Sequence, residues 1–501
     1  MLRDKIIEIG KDSTWYLVST IVSAFIGFIA VPIFTRIFEP HEYGIYTLVA
    51  TAITLGAPVV FIMVTNAIVR YLPEYEGRGE LSVIFTTVLR RVPIFFALMF
   101  CLCLPAVVIF APLGRYRLVV ALGISVFALY TVFRVLLGFM RAMRMAWQYA
   151  VFMIIVQFGR YIVGALLVAK FGMHVEGIFW GWLGTLVLVI PVELAILRVW
   201  KRIKRGAFSR TLERNILSYG LPLILVSIFS DILTAADRYM VQGFWGSKQV
   251  GLYSVVYTLV TNLEAILASI IALGATPVIV RFFEQEGEEA TVTLISRITR
   301  YFLMLLLPAM VGIWVLNRRI VSVITSPGYM DATKAVFPLV LGVFISNLQW
   351  LPFLSFQIKK RTDSSIFPIG ISAVFNLALN ALLIPLFGPK YGFVGAAWAT
   401  LASYVLCLFL VVRAGRKYMR WEFPWKGSLS IMISTAAMGL LLFFLDKILF
   451  GRWYGLLTLV IAGMLFYSFT MLATGGFTKS ELTFAKEILS RAFPKRGEGR
   501  H

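Results

Sequence analysis

Long apolar segments, separated by short polar or Gly/Pro-containing stretches, recur along nearly the whole chain. A helix needs about 20 apolar residues to cross the hydrocarbon core of a bilayer. The segments therefore predict an all-α integral membrane protein with about 14 transmembrane helices, placed at residues 13–35, 43–65, 86–112, 118–140, 149–170, 176–197, 216–238, 250–275, 298–316, 334–357, 366–387, 391–412, 427–446 and 453–474. The first segment lacks a small-residue cleavage site and is too long for a signal-peptide core, so we expect a retained helix.

The composition excludes several other classes of protein. Of 501 residues, 59% are hydrophobic and 14% are charged, which is more apolar surface than a soluble chain of this length can bury. Cys101 and Cys103 are two positions apart, and the three histidines are scattered, so no disulfide framework or metal site is expected. Phosphate-binding loops and nucleophile motifs are absent. We expect a protein that is not an enzyme and that binds no cofactor.

The excess of positive charge indicates the orientation in the membrane. The formal net charge is +22, and seven basic residues lie between Arg198 and Arg214. Basic residues concentrate in cytoplasmic loops, which face anionic lipid, so nucleic-acid binding is not needed to explain them. The pattern predicts a multi-pass protein of the cytoplasmic (plasma) membrane with both termini in the cytoplasm.

Two echoes in the sequence indicate an internal duplication. His41 to Tyr46 corresponds to Lys248 to Tyr253, 207 positions later, and Ala165-Leu166-Leu167 recurs as Ala381-Leu382-Leu383, 216 positions later. Further matches occur in the same order at nearly the same offset. We therefore predict a six-helix bundle at 1–197, a basic cytoplasmic linker at 198–215, a second six-helix bundle at 216–412, two additional helices at 427–474 and a cytoplasmic tail at 475–501. Copies with an even number of helices share one orientation, so a substrate path between them is expected.

The stretch from Asn376 to Thr400 reads as two apolar helices joined by a tight Gly/Pro corner. Asn376 and Asn380 lie one turn apart on the first helix, and Gly395-Ala396-Ala397 gives the second a face for close packing. The two asparagines mark a face turned to protein or to water, where they would hydrogen-bond another helix or contact a substrate.

Polar residues within the other predicted spans are the candidate functional residues, because each costs about 2.5–3.5 kcal/mol at the centre of a bilayer. In the seventh helix, Asp231 and Arg238 belong to one polar stripe with Ser227 and Thr234, and Asp237 lies beside it. The stripe either forms an internal salt bridge or faces the transport path.

The eighth helix carries Tyr253, Tyr257 and Glu264 on one face, with Asn262 beside it. Aromatic rings next to a carboxylate suit a sugar, because the rings stack on its apolar face and the carboxylate accepts its hydroxyl protons. Glu264 is equally suited to bind a proton or a sodium ion. Packing of the two tyrosines within the protein is an alternative.

The arginines within spans point to anions. Arg160 lies near the centre of the fifth helix, one turn beyond Gln157, and Arg134 lies in the inner third of the fourth. A buried guanidinium needs an anion, either a protein carboxylate or a substrate phosphate. Neither span contains a carboxylate, which favours the phosphate.

The sequence from Pro32 to Pro40, followed by Glu42-Tyr43-Gly44-Ile45-Tyr46, resembles the amino-terminal signature of polysaccharide (O-antigen type) flippases. The Asn376–Thr400 stretch resembles a pattern of the multidrug/oligosaccharidyl-lipid/polysaccharide exporter superfamily. The resemblance extends to about residue 475. It implies two six-helix bundles in a V that work by alternating access and carry a polyisoprenyl-pyrophosphate-linked oligosaccharide to the outer leaflet.

The resemblance also suggests roles for individual residues. Arg160 and Arg134 would hold phosphate, the face with Tyr253 would contact sugar, and Asp231 or Glu264 would couple transport to an ion gradient. The expected partners are the lipid-linked oligosaccharide and membrane lipid, and glycan polymerases are the protein partners such a role suggests; we expect a monomer.

The sequence departs from related patterns and leaves an alternative function open. Lipid II flippases carry several arginines in the first two helices, whereas here the first span has none until Arg36. The alternative is a cation-coupled exporter of multiple drugs or organic cations, which Asp231, Asp237 and Glu264 would serve. A membrane-bound polymerase or glycosyltransferase would need a large extramembrane loop, and the predicted loops are short.

Overall fold

A computed structural model describes residues 2–90, 116–204, 206–449, 453–478, 481 and 483. Within these ranges the chain forms helices and short 3-10 turns and contains no strand. The helices are α1 (Leu2–Ile37), α2 (Pro40–Gly77), α3 (Leu81–Leu89), α4 (Arg117–Ala142), α5 (Ala146–Phe171), α6 (Glu176–Ile196), α7 (Val199–Arg202), α8 (Arg210–Trp245), α9 (Ser247–Val315), α10 (Asn317–Ile324), α11 (Val336–Leu348), α12 (Trp350–Ile358), α13 (Ile366–Leu386), α14 (Gly388–Gly415), α15 (Trp425–Leu449) and α16 (Trp453–Ala473). The all-α class is confirmed.

Eleven helical segments in the described ranges are long and apolar enough to cross a bilayer, and two of them lie in α9, where Gly287 has a non-helical φ of 81°. They match the predicted spans except 43–65, 86–112 and 216–238. α2 and α8 run through the first and the last of these three as continuous helices. The predicted span 86–112 lies outside the described residues from position 91 onwards, so the total of fourteen stays a prediction.

The predicted Gly/Pro corner is confirmed. α13 ends at Leu386, and α14 starts at Gly388, whose φ of 71° lies in the left-handed region that glycine adopts without a steric penalty. Gly172 ends α5 in the same way, with φ 65°. At Gly395 the two helices approach so closely that a Cβ would lie 2.4 Å from the Leu383 carbonyl oxygen. Small residues permit this approach in a membrane, where helices gain little from hydrophobic burial.

The chain divides into two compact units. The first comprises Met1–Leu273 and Ile324–Arg420, and the second comprises Gly274–Val323 and Trp421–His501. Within the first unit, α2 packs against both α4 and α8, α1 against α5, and α13 against α8 and α14. The first unit thus contains helices from both predicted bundles. The bundle boundaries stay predictions.

The second unit contains its own packing and ion pairs. Its helices α15 and α16 pack against each other. Arg319 forms a salt bridge with Asp446 at 2.6 Å, and Arg300 forms one with Glu481 at 2.5 Å. Both arginines are buried, so the carboxylates compensate charges that would otherwise be costly in an apolar environment.

Candidate functional site: a cavity with two arginines

Arg160 is held by aromatic side chains. It lies in a five-residue π-helical turn, Gly159–Val163, that interrupts the regular winding of α5. Its guanidinium donates hydrogen bonds to the Tyr46 hydroxyl over 2.9 and 3.3 Å and lies 4.2 Å from the centre of the Trp182 ring. The residue is only 8% exposed, yet it has no ion pair with a carboxylate among the described residues. π-Helical turns are often found at functional sites.

Arg160 lines a cavity of about 240 Å³ in the first unit. α1 and α2 contribute small, hydroxyl and aromatic residues to its wall, and α9 contributes Ser254 and Thr258. Arg238 of α8 lines the same cavity. The wall therefore combines helices of both predicted bundles, with one arginine from each.

Arg238 is also buried and held mainly by neutral groups. Its guanidinium donates to the Thr234 carbonyl over 3.0 Å and lies 4.4 Å from the centre of the Tyr257 ring. Asp237 precedes it in the chain and offsets part of its charge, but the Asp237 carboxylate accepts its hydrogen bonds from the Tyr253 and Thr400 hydroxyls and from the Arg238 backbone N–H. No direct ion pair joins the two side chains in the described structure. The wall residues of the cavity include two guanidinium groups and no carboxylate.

Two candidates of the first bundle lie outside this wall. Arg134 is half-buried on α4, 4.6 Å from the centre of the Phe61 ring, and its contact with the Tyr130 hydroxyl is long, at 3.5 Å. Gln157 is half-buried on α5 and does not line the cavity either. Neither residue therefore shares the cavity wall with Arg160.

Most candidates on the eighth predicted span contact the interior of the second bundle. Tyr253 reaches Asp237, and the Tyr257 hydroxyl lies 3.4 Å from that of Tyr404. Asn347 donates to one Glu264 oxygen over 3.3 Å, while the other oxygen is buried without a hydrogen-bond partner. Neither tyrosine lines the cavity. Instead, the Tyr253 hydroxyl donates to Asp237, and the Tyr257 ring lies 4.4 Å from the Arg238 guanidinium.

Asn262 lies close to the cavity. Its side-chain nitrogen is 3.4 Å from the position that a Cβ on Gly27 would take, and Gly27 belongs to the cavity wall. Asn262 thus lies beside the cavity on the face of α9 that also carries Ser254 and Thr258, whereas Tyr253, Tyr257 and Glu264 do not line the cavity.

The remaining candidates form local hydrogen bonds. Asp231 accepts a hydrogen bond from Ser227 over 3.4 Å, so the predicted stripe on α8 does not join Asp231 to Arg238. Asn380 donates to Asn376 over 3.0 Å. Both asparagines are fully buried, and each keeps one side-chain atom without a hydrogen-bond partner.

Sequence reasoning missed several wall residues. They are chiefly tyrosines and hydroxyl residues: Tyr43, Tyr46, Thr47, Thr51, Thr54, Tyr161, Ser254 and Thr258. The sequence contains a signal for some of them, because Thr47, Thr51 and Thr54 follow the same 4-3 helical spacing as Ser227, Asp231 and Thr234 on α8. No corresponding signal in the sequence pairs Tyr46 with Arg160, 114 positions apart.

Comparisons with known proteins are consistent with a membrane transporter fold. A family model described as "Polysaccharide biosynthesis protein" matches residues 9–283. An uncharacterized membrane protein of Methanocaldococcus jannaschii is 21% identical over 96% of this chain and 98% of its own. A probable low-salt glycan biosynthesis flippase of Haloferax volcanii is 21% identical over 49% of this chain and 50% of its own. The solved lipid II flippase MurJ, in an inward closed conformation, shares the fold with a TM-score of 0.69 at 16% identity and covers 95% of this chain and 98% of its own.

Proposed function

Because the chain belongs to the family of polysaccharide biosynthesis proteins, we propose that it is a flippase for a polyisoprenyl-pyrophosphate-linked oligosaccharide. It would move this lipid across the cytoplasmic membrane during the synthesis of cell-surface polysaccharide. The names of the Haloferax volcanii relative and of MurJ support the class of transport, and the cavity supports the chemistry of the cargo.

One observation carries the proposal: two buried guanidinium groups line one cavity whose wall residues include no carboxylate. Buried charge is costly unless it is paired, and the planar donor array of arginine matches phosphate oxygens two at a time. A pyrophosphate carries several negative charges and would bridge Arg160 and Arg238. Since the two arginines come from different predicted bundles, such a ligand would join the bundles around it.

The size of the cavity limits which part of the cargo it holds. A volume of about 240 Å³ is below the roughly 300–1,000 Å³ of pockets for drug-sized ligands. It suits the pyrophosphate and an adjoining sugar, with hydroxyl groups such as those of Thr51 and Ser254 available to both. The remaining glycan would extend into water, and the prenyl chain would stay in lipid, where its burial costs nothing.

Coupling to an ion gradient is part of the proposal. Asp231 and Glu264 are the carboxylates suited to bind the ion, and neither lines the cavity. Glu264 fits this role because it is fully buried and one of its oxygens has no hydrogen-bond partner. Proton or sodium binding there would neutralise a charge that is costly in the apolar interior.

The alternative, an exporter of organic cations, is less well supported by the cavity. A cationic drug would approach two guanidinium groups with no carboxylate in the wall, and like charges repel strongly at low dielectric constant. The carboxylates that the alternative requires lie elsewhere in the second bundle.

The test is transport by the purified protein in proteoliposomes. Vesicles receive either a pyrophosphate-linked oligosaccharide lipid or a cationic dye, and movement between leaflets or across the membrane is followed. A hydrogen bond to a charged group contributes about 1.5–3 kcal/mol, so Arg160→Gln or Arg238→Gln should reduce glycan-lipid transport about 10- to 100-fold.

Arg134→Gln is the matched comparison, because Arg134 also stacks on an aromatic ring but does not line the cavity. We expect it to retain most transport, and each variant is first checked for a monodisperse elution profile. Wild-type rates in folded Arg160→Gln and Arg238→Gln would refute the role of the cavity. Dye transport without lipid transport would establish the cation exporter instead.

A further inference from the structure

The starts of α2 and α9 make a reciprocal backbone contact in the first unit. A Cβ built on Gly44 would lie 1.9 Å from the carbonyl oxygen of Ser247, and a Cβ built on Gly251 would lie 1.8 Å from that of Pro40. Real Cβ atoms essentially never approach another atom within 3.0 Å. The contact therefore requires glycine on both sides, and no other residue fits without moving the helices.

The contact follows the internal echo of the sequence. Pro40 and Ser247 are 207 positions apart, as are Gly44 and Gly251. Gly44 of α2 meets Ser247, the first residue of α9. In the same way, Gly251 of α9 meets Pro40, the first residue of α2. A two-fold relation between duplicated bundles would generate this reciprocity, because the same surface then appears on both sides of the contact.

Neighbouring side chains anchor each helix start to its own predicted bundle in a matching way. A Glu42 carboxylate oxygen lies 3.4 Å from the ring nitrogen Nδ1 of His174, and the Gln249 amide donates to the Pro389 carbonyl. Gln249 occupies the position that corresponds to Glu42. The Gln249 side chain also accepts a hydrogen bond from the Phe393 backbone over 3.0 Å. Each helix start is thus tied to its own bundle.

Among the described residues, hydroxyl groups supply polar contacts between the two sides. Ser247 contacts His41 through its hydroxyl, and the Tyr239 hydroxyl donates to the Leu48 carbonyl over 3.0 Å. The Tyr329 hydroxyl donates to the Phe38 carbonyl over 2.9 Å. Hydrogen bonds of hydroxyl groups can separate and be replaced by hydrogen bonds to water at a small net cost.

The contact lies beside the cavity wall. Tyr43 and Thr47, on either side of Gly44, line the cavity, and so does Ser254, one turn beyond Gly251. In the topology predicted from the sequence, the starts of α2 and α9 lie on the outer side of the membrane. The glycine contact thus joins the outer ends of two helices that line the cavity with its two arginines.

We propose that the contacts of Gly44 with Ser247 and of Gly251 with Pro40 form the outer gate of the transport path. The gate is closed in this structure, and it must part for the cargo to leave toward the outer leaflet. This inference rests on the proposed function for its cargo, but the gating itself is tested without any cargo.

The first experiment measures access to the cavity from outside. Thr51→Cys, in a background in which Cys101, Cys103 and Cys407 are replaced by serine, places a thiol in the cavity wall. A membrane-impermeant maleimide added outside should label it slowly. Gly44→Ala or Gly251→Ala should prevent closure and increase the labelling rate at least about tenfold, by shifting the population toward the open state.

Gly243→Ala is the matched control, because Gly243 lies in α8 near the same end and a Cβ there would meet nothing within 4 Å. It should label like the parent. The gate proposal would be overturned if the thiol at position 51 were labelled no faster in Gly44→Ala and Gly251→Ala than in Gly243→Ala. The result is independent of the cargo, so a failure of lipid transport in the wild type would refute the proposed function and leave the gate standing.

A second experiment does not depend on the folding of the alanine variants. His41→Cys with Ser247→Cys places two thiols across the contact, where the original side chains touch. Oxidation or a short bifunctional reagent should link them and stop transport of the glycan lipid, and cleavage of the link should restore it. Unchanged transport by the fully linked protein would overturn the proposal.

Discussion

Replacing Tyr46 with phenylalanine removes the hydroxyl that accepts two hydrogen bonds from Arg160, at 2.9 and 3.3 Å, and leaves the ring in place. The ring contacts, with centroid distances of 5.3 Å to Phe34 and 6.0 Å to Phe179, should persist. A hydrogen bond to a charged group contributes about 1.5–3 kcal/mol, so the free energy of unfolding of the ligand-free protein should fall by about that amount.

The same substitution should change the response to an anionic ligand. Without the Tyr46 hydroxyl, two N–H groups of Arg160 lack an acceptor in the free protein, and phosphate oxygens would supply one. A saturating polyisoprenyl pyrophosphate should therefore raise the unfolding temperature Tm more in Tyr46→Phe than in the wild type. The measurement is thermal unfolding in detergent, followed by intrinsic fluorescence with and without the ligand.

Tyr130→Phe is the control, because Tyr130 meets Arg134 only at 3.5 Å and outside the cavity. Tyr130→Phe should change the Tm of the ligand-free protein by no more than about a degree. It should also leave the ligand-induced shift in Tm unchanged. An unchanged Tm of ligand-free Tyr46→Phe would contradict the stabilising hydrogen bond. Equal ligand-induced shifts in Tyr46→Phe and the wild type would contradict an anion site at Arg160.

Two further predictions concern other parts of the fold. Partial burial acts to raise the pKa of Glu481, but hydrogen bonds from Arg300 and the Thr478 backbone lower it to about 2. Above pH 4.3, the usual pKa of glutamate, the ion pair should therefore stabilise the segment around Glu481 in full. This stabilisation should be lost as the pH falls toward 2 and Glu481 becomes protonated. Glu481→Gln should abolish this pH dependence, as measured by the anisotropy of a fluorophore at position 483. Gly395→Ala should lower stability by about 1–3 kcal/mol, because its Cβ would lie 2.4 Å from a carbonyl oxygen, whereas Gly312→Ala, with nothing within 4 Å, should change Tm little.

The predicted helices and their connections depend on local signals, which is why the sequence revealed them. The apolar runs around Asn376 and the Gly/Pro corner at Gly388 correspond to α13, α14 and the left-handed residue between them. Gly395 was expected in a close contact, and the structure shows it against α13. In each case a few neighbouring residues determine the outcome, through chain length across the bilayer or the backbone freedom of glycine.

The partners of the polar residues could not be predicted in this way. Helical spacing placed Asp231 and Arg238 on one stripe, yet Asp231 contacts Ser227, while Arg238 contacts Tyr257 and lines the cavity. Tyr253 shares a helix with Ser254, but only Ser254 faces the cavity. Periodicity tells which residues share a face of a helix and does not tell which neighbouring helix that face will meet.

The sequence by itself determined the membrane class, most of the helices and the candidate arginine at the centre of α5. Composition and segment length are sufficient for these, because the bilayer admits few alternatives to apolar helices. Only the tertiary structure brought Arg160 and Arg238 to one cavity and placed Gly44 against Ser247. These contacts join residues far apart in the chain, and they depend on how closely α2, α5, α8 and α9 pack, which no local pattern encodes.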